Sequence, residues 1–197
     1  MKGEKHTAPP FGATVELLVR ALVRSIETIS RLGGYAAAVL VLTLVLLMVY
    51  EVVVRYAFSA PTVWGYELST WAMGASFVLA IAYALMTDSH VRVDFLHDLL
   101  GRKARHAFDL LGYVLFVLPL LLGLSGGMWS YFYGALTTAE RSGQSAWNPV
   151  IWPFRLVLFL GVVALTLQVV AEIVKSAFAL AGRPLAPQQS EPSERLE

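Results

Sequence analysis

The sequence contains no cysteine and few charged residues. Cysteine is absent from all 197 positions, and Asp, Glu, Lys and Arg together make up 15% of them. The missing cysteine excludes disulfides, thiolate catalysis, cysteine metal sites and covalently attached c-type haem. The net charge is +1 and the basic residues are scattered over short segments. This pattern excludes the basic face that nucleic-acid binding requires.

Long apolar stretches take the place of the missing charges. Hydrophobic residues make up 57% of the chain, and the mean hydropathy is +0.63. A bilayer core about 30 Å thick needs roughly 20 apolar residues for each helical crossing. Four stretches are long enough, so the sequence predicts an all-α integral membrane protein. Its membrane domain covers residues 33–178, with four transmembrane helices at about 33–54, 62–87, 107–136 and 150–178.

The segments that flank the membrane domain are more polar. Residues 1–13 predict a flexible N-terminus, and the Pro, Gln, Ser and Glu residues of 179–197 predict a disordered C-terminal tail. In residues 14–32 polar side chains recur every three or four positions and apolar side chains take the opposite face, which predicts an amphipathic helix. This helix is expected to lie in the headgroup layer. The alternative is a helix that docks on a partner protein.

Proline and aromatic residues mark the turns between the spans. Pro61 predicts a break between spans one and two, and Pro119 predicts a kink in span three. Between spans two and three, residues 88–106 mix apolar and basic side chains, which predicts a short interfacial helix followed by a basic turn. Asp94 is expected to cap that helix.

The basic residues predict the orientation of the four spans. Cytoplasmic loops of membrane proteins carry an excess of Lys and Arg. Here these residues precede span one, lie between spans two and three, and follow span four, whereas the two opposite turns carry few. We therefore expect both termini in the cytoplasm. The basic turn is expected to contact anionic lipids through Arg102, Lys103 and Arg105.

Ionisable residues at membrane depth are costly and suggest function by default. Glu51 and Arg55 are four residues apart at the end of span one, a spacing that allows pairing, and Glu67 follows in span two. One interpretation is an ion or substrate carboxylate site, and the favoured one is a charge cluster that fixes the hairpin or a partner helix. Gln168 is expected to form an interhelical hydrogen bond.

Histidine and aspartate residues in the loop between spans two and three could share one helical face, which suggests a metal site. They are His90, Asp94, His97 and Asp98. The segment is basic and interfacial, so capping by Asp94 is the preferred interpretation. No histidine lies mid-span, where the axial ligands of a membrane haem would lie. No nucleophile motif, phosphate loop or zinc motif is present. The sequence therefore predicts no enzyme, no metal and no cofactor.

Three motifs in the central part of the chain occur in a fixed order. They are Glu51-Val-Val-Val-Arg55-Tyr56-Ala-Phe58, then Pro61-Thr-Val-Trp64-Gly-Tyr-Glu67-Leu-Ser69, then His90-Val-Arg-Val-Asp94-Phe-Leu. Together with the four spans they resemble the small membrane subunit, of the DctQ type, of tripartite ATP-independent periplasmic (TRAP) transporters. The resemblance covers about residues 30–180. The family pattern often has two acidic residues after the tryptophan, and here only Glu67 is present.

This resemblance implies partners and a location. Family members work in the bacterial inner membrane with a large multi-span subunit that holds the sodium and substrate sites. A soluble periplasmic binding protein delivers the substrate, commonly an organic acid. The resemblance implies that the small subunit is a scaffold with roles in architecture and subunit contact for Arg55, Glu67, His90 and Asp94. The two outer turns, around residues 56–66 and 139–152, are candidates for docking the binding protein because of their location, and Arg141 and Trp147 in the second turn are the candidate residues.

Two other functions compete with a scaffold subunit. One is a self-sufficient small carrier that uses Glu51 or Glu67, and the other is a membrane electron-transfer subunit. The carrier would transport without a partner, whereas the electron-transfer subunit would bind haem. The substrate cannot be read from this chain, because the resemblance implies that its determinants lie on other subunits.

Overall fold

The computed structural model describes residues 11–87, 107–108, 110–182 and 185. Four of its helices are long and apolar enough to cross a membrane, which confirms the predicted all-α, four-span fold. The helices are α1 (Phe11–Ala57), α2 (Gly65–Met86), α3 (Leu118–Thr137) and α4 (Trp152–Leu180). Within the described ranges the only β-structure is one isolated bridge between Arg141 and Val150. Residues 1–10, the predicted helix within 88–106 and nearly all of 183–197 lie outside the described residues.

Helix α1 joins two segments that the sequence pattern distinguishes. It contains 47 residues without interruption, which gives a length of about 70 Å at 1.5 Å per residue. The predicted amphipathic segment 14–32 and span one are therefore parts of one helix, and α1 does not begin at residue 33. The position of 14–32 in the headgroup layer remains a prediction.

The two adjacent glycines inside α1 allow α2 to pack closely against it. A Cβ atom added at Gly34 would lie 2.6 Å from Cγ of Tyr83, and one added at Gly33 would lie 3.0 Å from the carbonyl oxygen of Leu79. The absence of side chains thus lets the end of α2 lie directly on α1, as small residues do between membrane helices.

The four helices form a row, with α2 and α4 in the middle. Helix α1 packs antiparallel on α2, α2 runs parallel to α4, and α4 packs antiparallel to α3. Helix α1 also reaches α4 through its N-terminal half, where Val23 and Ile26 pack against Ala171. Among the described residues α1 and α3 share no extensive contact. Both helices therefore present long apolar faces on the outside of the row.

A π-helical segment, Tyr113–Val117, leads directly into α3. Pro119 has no N–H to donate, and its ring conflicts with the carbonyl group of Leu115 four residues earlier in a regular α-helix. A π turn widens the helix just before this proline. The sequence predicted a kink at Pro119, and the structure has a π-helical segment that ends two residues before it, so the kink itself stays a prediction.

A buried polar network joins α1 to α4 at the end of the row where α2 terminates. Ser30 Oγ donates to Gln168 Oε1 over 2.7 Å, and both side chains are buried. Gln168 Nε2 in turn donates to Glu172 Oε1 over 2.9 Å. Lys175 Nζ contacts Glu172 Oε1 at 2.6 Å and Glu27 Oε1 at 3.1 Å. The interhelical hydrogen bond that was predicted for Gln168 is therefore present.

The contact between α2 and α4 predicts the effect of a glycine substitution. A Cβ atom at Gly161 would clash with the side chain of Val78 and lie 3.0 Å from its carbonyl oxygen. We expect Gly161→Ala to destabilise the protein by about 1–3 kcal/mol, as overpacking does. Thermal unfolding of the purified protein in detergent measures this.

Gly123 on α3 provides the matched control, because nothing lies within 4 Å of a Cβ atom added there. Gly123→Ala should be neutral or stabilising by up to about 1 kcal/mol, since alanine favours the helix. Equal melting temperatures for the two variants would show that α2 and α4 do not approach closely at Gly161.

Candidate functional site

The turn between α1 and α2 carries a cluster of polar side chains, Glu51, Arg55 and Thr62, which we call the turn cluster. Arg55 Nη2 donates to Glu51 Oε1 over 2.8 Å, so the pair predicted from the spacing is present. The hydroxyl group of Thr62 donates to Glu51 Oε2. The same hydroxyl oxygen accepts from the backbone N–H of Gly65 over 3.1 Å. Glu51 therefore connects the end of α1 with the start of α2.

The turn cluster leaves room only for glycine at the first position of α2. A Cβ atom at Gly65 would lie 2.6 Å from Thr62 Oγ1 and 2.8 Å from Glu51 Oε2. A larger residue would push these two side chains away from the first turn of α2. The sequence Pro61-Thr62-Val63-Trp64-Gly65 therefore both breaks the helix and leaves room for the carboxylate of Glu51.

Glu67 does not belong to the turn cluster, because its side chain contacts the turn between α3 and α4. Its side chain is fully buried, and Oε1 accepts a 2.6 Å hydrogen bond from Ser142 Oγ. Ser142 lies in the turn between α3 and α4, so this bond connects α2 with a distant part of the chain. Among the described residues Glu67 Oε2 has no hydrogen-bond partner. Packing and the single bond from Ser142 therefore hold this carboxyl group.

The turn between α3 and α4, residues 138–151, is fixed by its own hydrogen bonds. Ser142 N donates to Pro149 O over 2.9 Å, and Ile151 N donates to Glu140 O over 3.0 Å. Asn148 Oδ1 accepts from Gly143 N, and its carbonyl oxygen accepts from Arg141 Nη1, each over 2.9 Å. We call this segment the pinned turn. Its conformation is set locally as well as by Glu67.

Arg155 anchors the pinned turn to the beginning of α4. Its guanidinium group donates to both carboxylate oxygens of Glu140, at 2.6 and 2.7 Å, which is a bidentate pair. The guanidinium carbon lies 3.6 Å from the ring centroid of Tyr131 on α3, a cation–π contact. Arg155 is 7% exposed. Its burial and its three contacts tie α3, the turn and α4 together at one point.

The described charged side chains lie where they can hold the ends of the helices together. Among the described residues no group of three or more His, Asp or Glu side chains could hold a metal ion. The charged side chains are gathered at the two ends of the row, and the helix segments between them are uncharged, 32–50, 68–86 and 156–171. No pair of ionisable groups in the described ranges lines a path through the middle of the row.

The predicted site residues lie in different parts of the structure, and some of them lie outside the described residues. Arg55 lies in the turn cluster and Glu67 under the pinned turn. Arg141 and Trp147 are both exposed on the pinned turn, and Trp147 N donates to Ser145 Oγ over 3.2 Å. The remaining predicted positions lie outside the described residues, so their roles stay predictions: His90, Asp94, Arg102, Lys103 and Arg105.

Sequence reasoning missed the pair Glu140 and Arg155. A signal was present, since residues of opposite charge lie at the end of one apolar span and the beginning of the next. Such residues can pair across the turn that joins the two helices. The bond from Ser142 to Glu67 joins residues 75 positions apart, and no local pattern indicates it.

Comparison with known families gives a match over residues 44–179, to the family described as tripartite ATP-independent periplasmic transporters, DctQ component. No curated protein and no solved structure matches the chain. The matched range contains the turn cluster, Glu67, the pinned turn and Arg155. It covers more than half of the chain and agrees with the four membrane-spanning helices. The chain therefore belongs to the DctQ family and is a small, non-catalytic membrane subunit of a TRAP transporter.

Proposed function

We propose that this subunit scaffolds the large membrane subunit of a sodium-driven, binding-protein-dependent importer of a small organic acid. The observation that supports this most directly is the distribution of charge. In the described ranges the charged side chains are gathered at the two ends of the row of helices, and several of them form ion pairs there. A transport path would need ionisable or polar groups near the midplane. Transport itself is therefore assigned to the partner.

The outside of the row offers contact surfaces for the large subunit. Helix α3 has glycines at 123, 126, 127 and 134, and a Cβ atom added at any of them would meet nothing within 4 Å. Each helical glycine costs up to about 1 kcal/mol relative to alanine. Glycine does not improve packing against lipid tails, whereas it lets a neighbouring helix approach closely. We assign this face of α3 to the large subunit.

The pinned turn is the proposed docking surface for the periplasmic binding protein. Its backbone is held in place by internal hydrogen bonds, while Arg141 and the ring of Trp147 are exposed. A rigid surface that presents a cation and an aromatic ring has the composition of an interaction hot spot. This assignment requires that the turn faces the periplasm, as the distribution of basic residues predicts.

Both termini and the loop between α2 and α3 would then lie in the cytoplasm. The N-terminal half of α1 carries exposed leucines beside the exposed basic residues Arg24 and Arg31. These properties favour a position at the anionic inner leaflet. The predicted lipid contacts of Arg102, Lys103 and Arg105 belong to the same side of the membrane.

A self-sufficient carrier is the second candidate function. The contacts of the two carboxylates that it would use argue against it. Glu51 is occupied by Arg55 and Thr62, and Glu67 is closed off beneath the pinned turn. A membrane electron-transfer subunit is the third candidate. Its haem would require axial ligands deep in the spans, where the sequence has no histidine.

Reconstitution in liposomes tests the proposed function. This chain alone should give no uptake under a sodium gradient. Uptake should occur when the large subunit and the binding protein of the same transporter are added. Sodium-driven uptake by this chain alone would refute the scaffold role, and an absorption band of bound haem in the purified chain would favour electron transfer.

Substitutions at Glu67 separate support from transport. A glutamine at this position can still accept from Ser142 through its side-chain oxygen, so Glu67→Gln should keep the uptake of the assembled transporter near the wild-type rate. Ser142→Ala removes the donor and should lower the free energy of unfolding by about 1–3 kcal/mol. Loss of uptake in Glu67→Gln with an unchanged melting temperature would indicate a direct role of the charge.

Charge changes at Arg141 test docking. Arg141→Glu should weaken binding of the binding protein to the reconstituted complex about fivefold, which corresponds to about 1 kcal/mol for an exposed charge. Arg141→Gln keeps an N–H donor for Asn148 and separates the loss of charge from a change in the turn. Arg24→Glu, at the opposite end of the row, is the control. Equal affinities for all three variants and the wild type would remove Arg141 from the docking surface.

A further inference from the structure

An apolar cleft lies between α1, α2 and α4, in the half of the row that contains the α1–α2 turn. Its volume is about 360 Å³. Side chains from all three helices line it, and small residues of α2 form its floor. The lining residues on which the argument depends are Leu40, Thr43, Leu47, Trp71, Ala72 and Phe154.

The cleft offers almost nothing to a polar ligand. Thr43 is the only hydroxyl-bearing residue of the lining, and its hydroxyl group already donates to the carbonyl oxygen of Val39 over 2.9 Å. The indole of Trp71 stacks on Phe154 with centroids 5.5 Å apart and forms one wall. The surface is otherwise aliphatic. An occupant must therefore be apolar, because a buried polar group without a partner is costly.

The cleft is an open groove and not a closed cavity, so its occupant reaches it from the surrounding membrane. Its walls follow α1 from Leu40 to Leu47, which is about 10 Å of helix. An apolar groove of this length that opens towards the membrane can hold part of a hydrocarbon chain.

A shallower depression extends the cleft towards the α1–α2 turn. It shares Thr43 and Leu47 with the cleft and ends at Tyr50 and Trp64. The rings of Tyr50 and Trp64 stack with centroids 5.8 Å apart. Tyrosine and tryptophan mark the level of the headgroups in membrane proteins. The groove thus runs from the hydrocarbon region to the interface.

Arg55 is the first basic residue that follows the groove along α1. Arg55 is one helical turn and a residue past Tyr50 on α1, and its side chain is 56% exposed although it pairs with Glu51. A guanidinium group is a good partner for phosphate, since its donors match phosphate oxygens. Along the sequence of α1, the residues of the apolar groove, then Tyr50, then Arg55 follow one another in the order of the parts of a phospholipid.

We infer that this subunit binds one phospholipid, with an acyl chain in the cleft and the phosphate group at Arg55. The lipid comes from the leaflet on the side of the α1–α2 turn. It fills the space between α1 and α4 above the small residues of α2. This inference rests on the membrane-spanning fold and does not depend on the assignment of transport to the partner.

Native mass spectrometry of the complex with the large subunit tests the inference. After delipidation in detergent, the wild type should retain one more phospholipid than Thr43→Trp, which fills the cleft. Leu42→Trp is the matched control, because Leu42 is 60% exposed on α1 and does not line the cleft. It should retain the lipid. Arg55→Gln should weaken retention about fivefold, which corresponds to about 1 kcal/mol for an exposed charge.

Fluorescence quenching tests the inference without a side chain that fills the cleft. Phospholipid with brominated tails is titrated into the wild type and into Trp71→Phe, and the difference isolates Trp71. Saturable quenching of Trp71 at one lipid per chain supports the inference. Non-saturable quenching, or equal lipid retention by the wild type and Thr43→Trp, would overturn it. Binding to the isolated chain that disappears on assembly would also overturn it, because the large subunit would then occupy the cleft.

Discussion

The close contact between α2 and α4 at Gly161 determines how the other helices are placed. Lipid tails are as apolar as the side chains they surround, so apolar burial alone does not bring membrane helices together. Contact between backbones does, and Gly161 lets α4 reach the backbone of Val78. Helices α1 and α3 then pack on either side of this central pair. The row, its exposed faces and the cleft above α2 all depend on this approach.

The same environment explains why charges occur in two layers. Charged groups near the bilayer centre are costly, and the described part of the chain keeps them near the ends of the spans. At one end are Glu51 with Arg55, and Glu140 with Arg155. At the other, Lys175 lies between two carboxylates. The polar groups therefore fix the ends of the helices relative to one another, and the middle of the row is left to apolar packing.

Patterns within a helix were readable from the sequence, whereas contacts between distant helices were not. Hydropathy predicted the four spans, and a spacing of four residues predicted the pair of Glu51 and Arg55. The role of Gln168 followed from the rarity of amides in lipid, although its partner Ser30 did not. The order of the helices in the row was not readable, because a face that contacts lipid and one that contacts a helix can be equally apolar. The change of pattern near residue 33 suggested a boundary, but backbone hydrogen bonding continues through it.

The bond between Ser142 and Glu67 has a consequence for biogenesis. Helices α1 and α2 form one hairpin and α3 and α4 form another, and the two residues belong to different hairpins. The first hairpin by itself therefore leaves the carboxyl group of Glu67 without its covering turn. Glu67 is buried only when both hairpins are in place, so its burial couples the folding of the two halves of the chain.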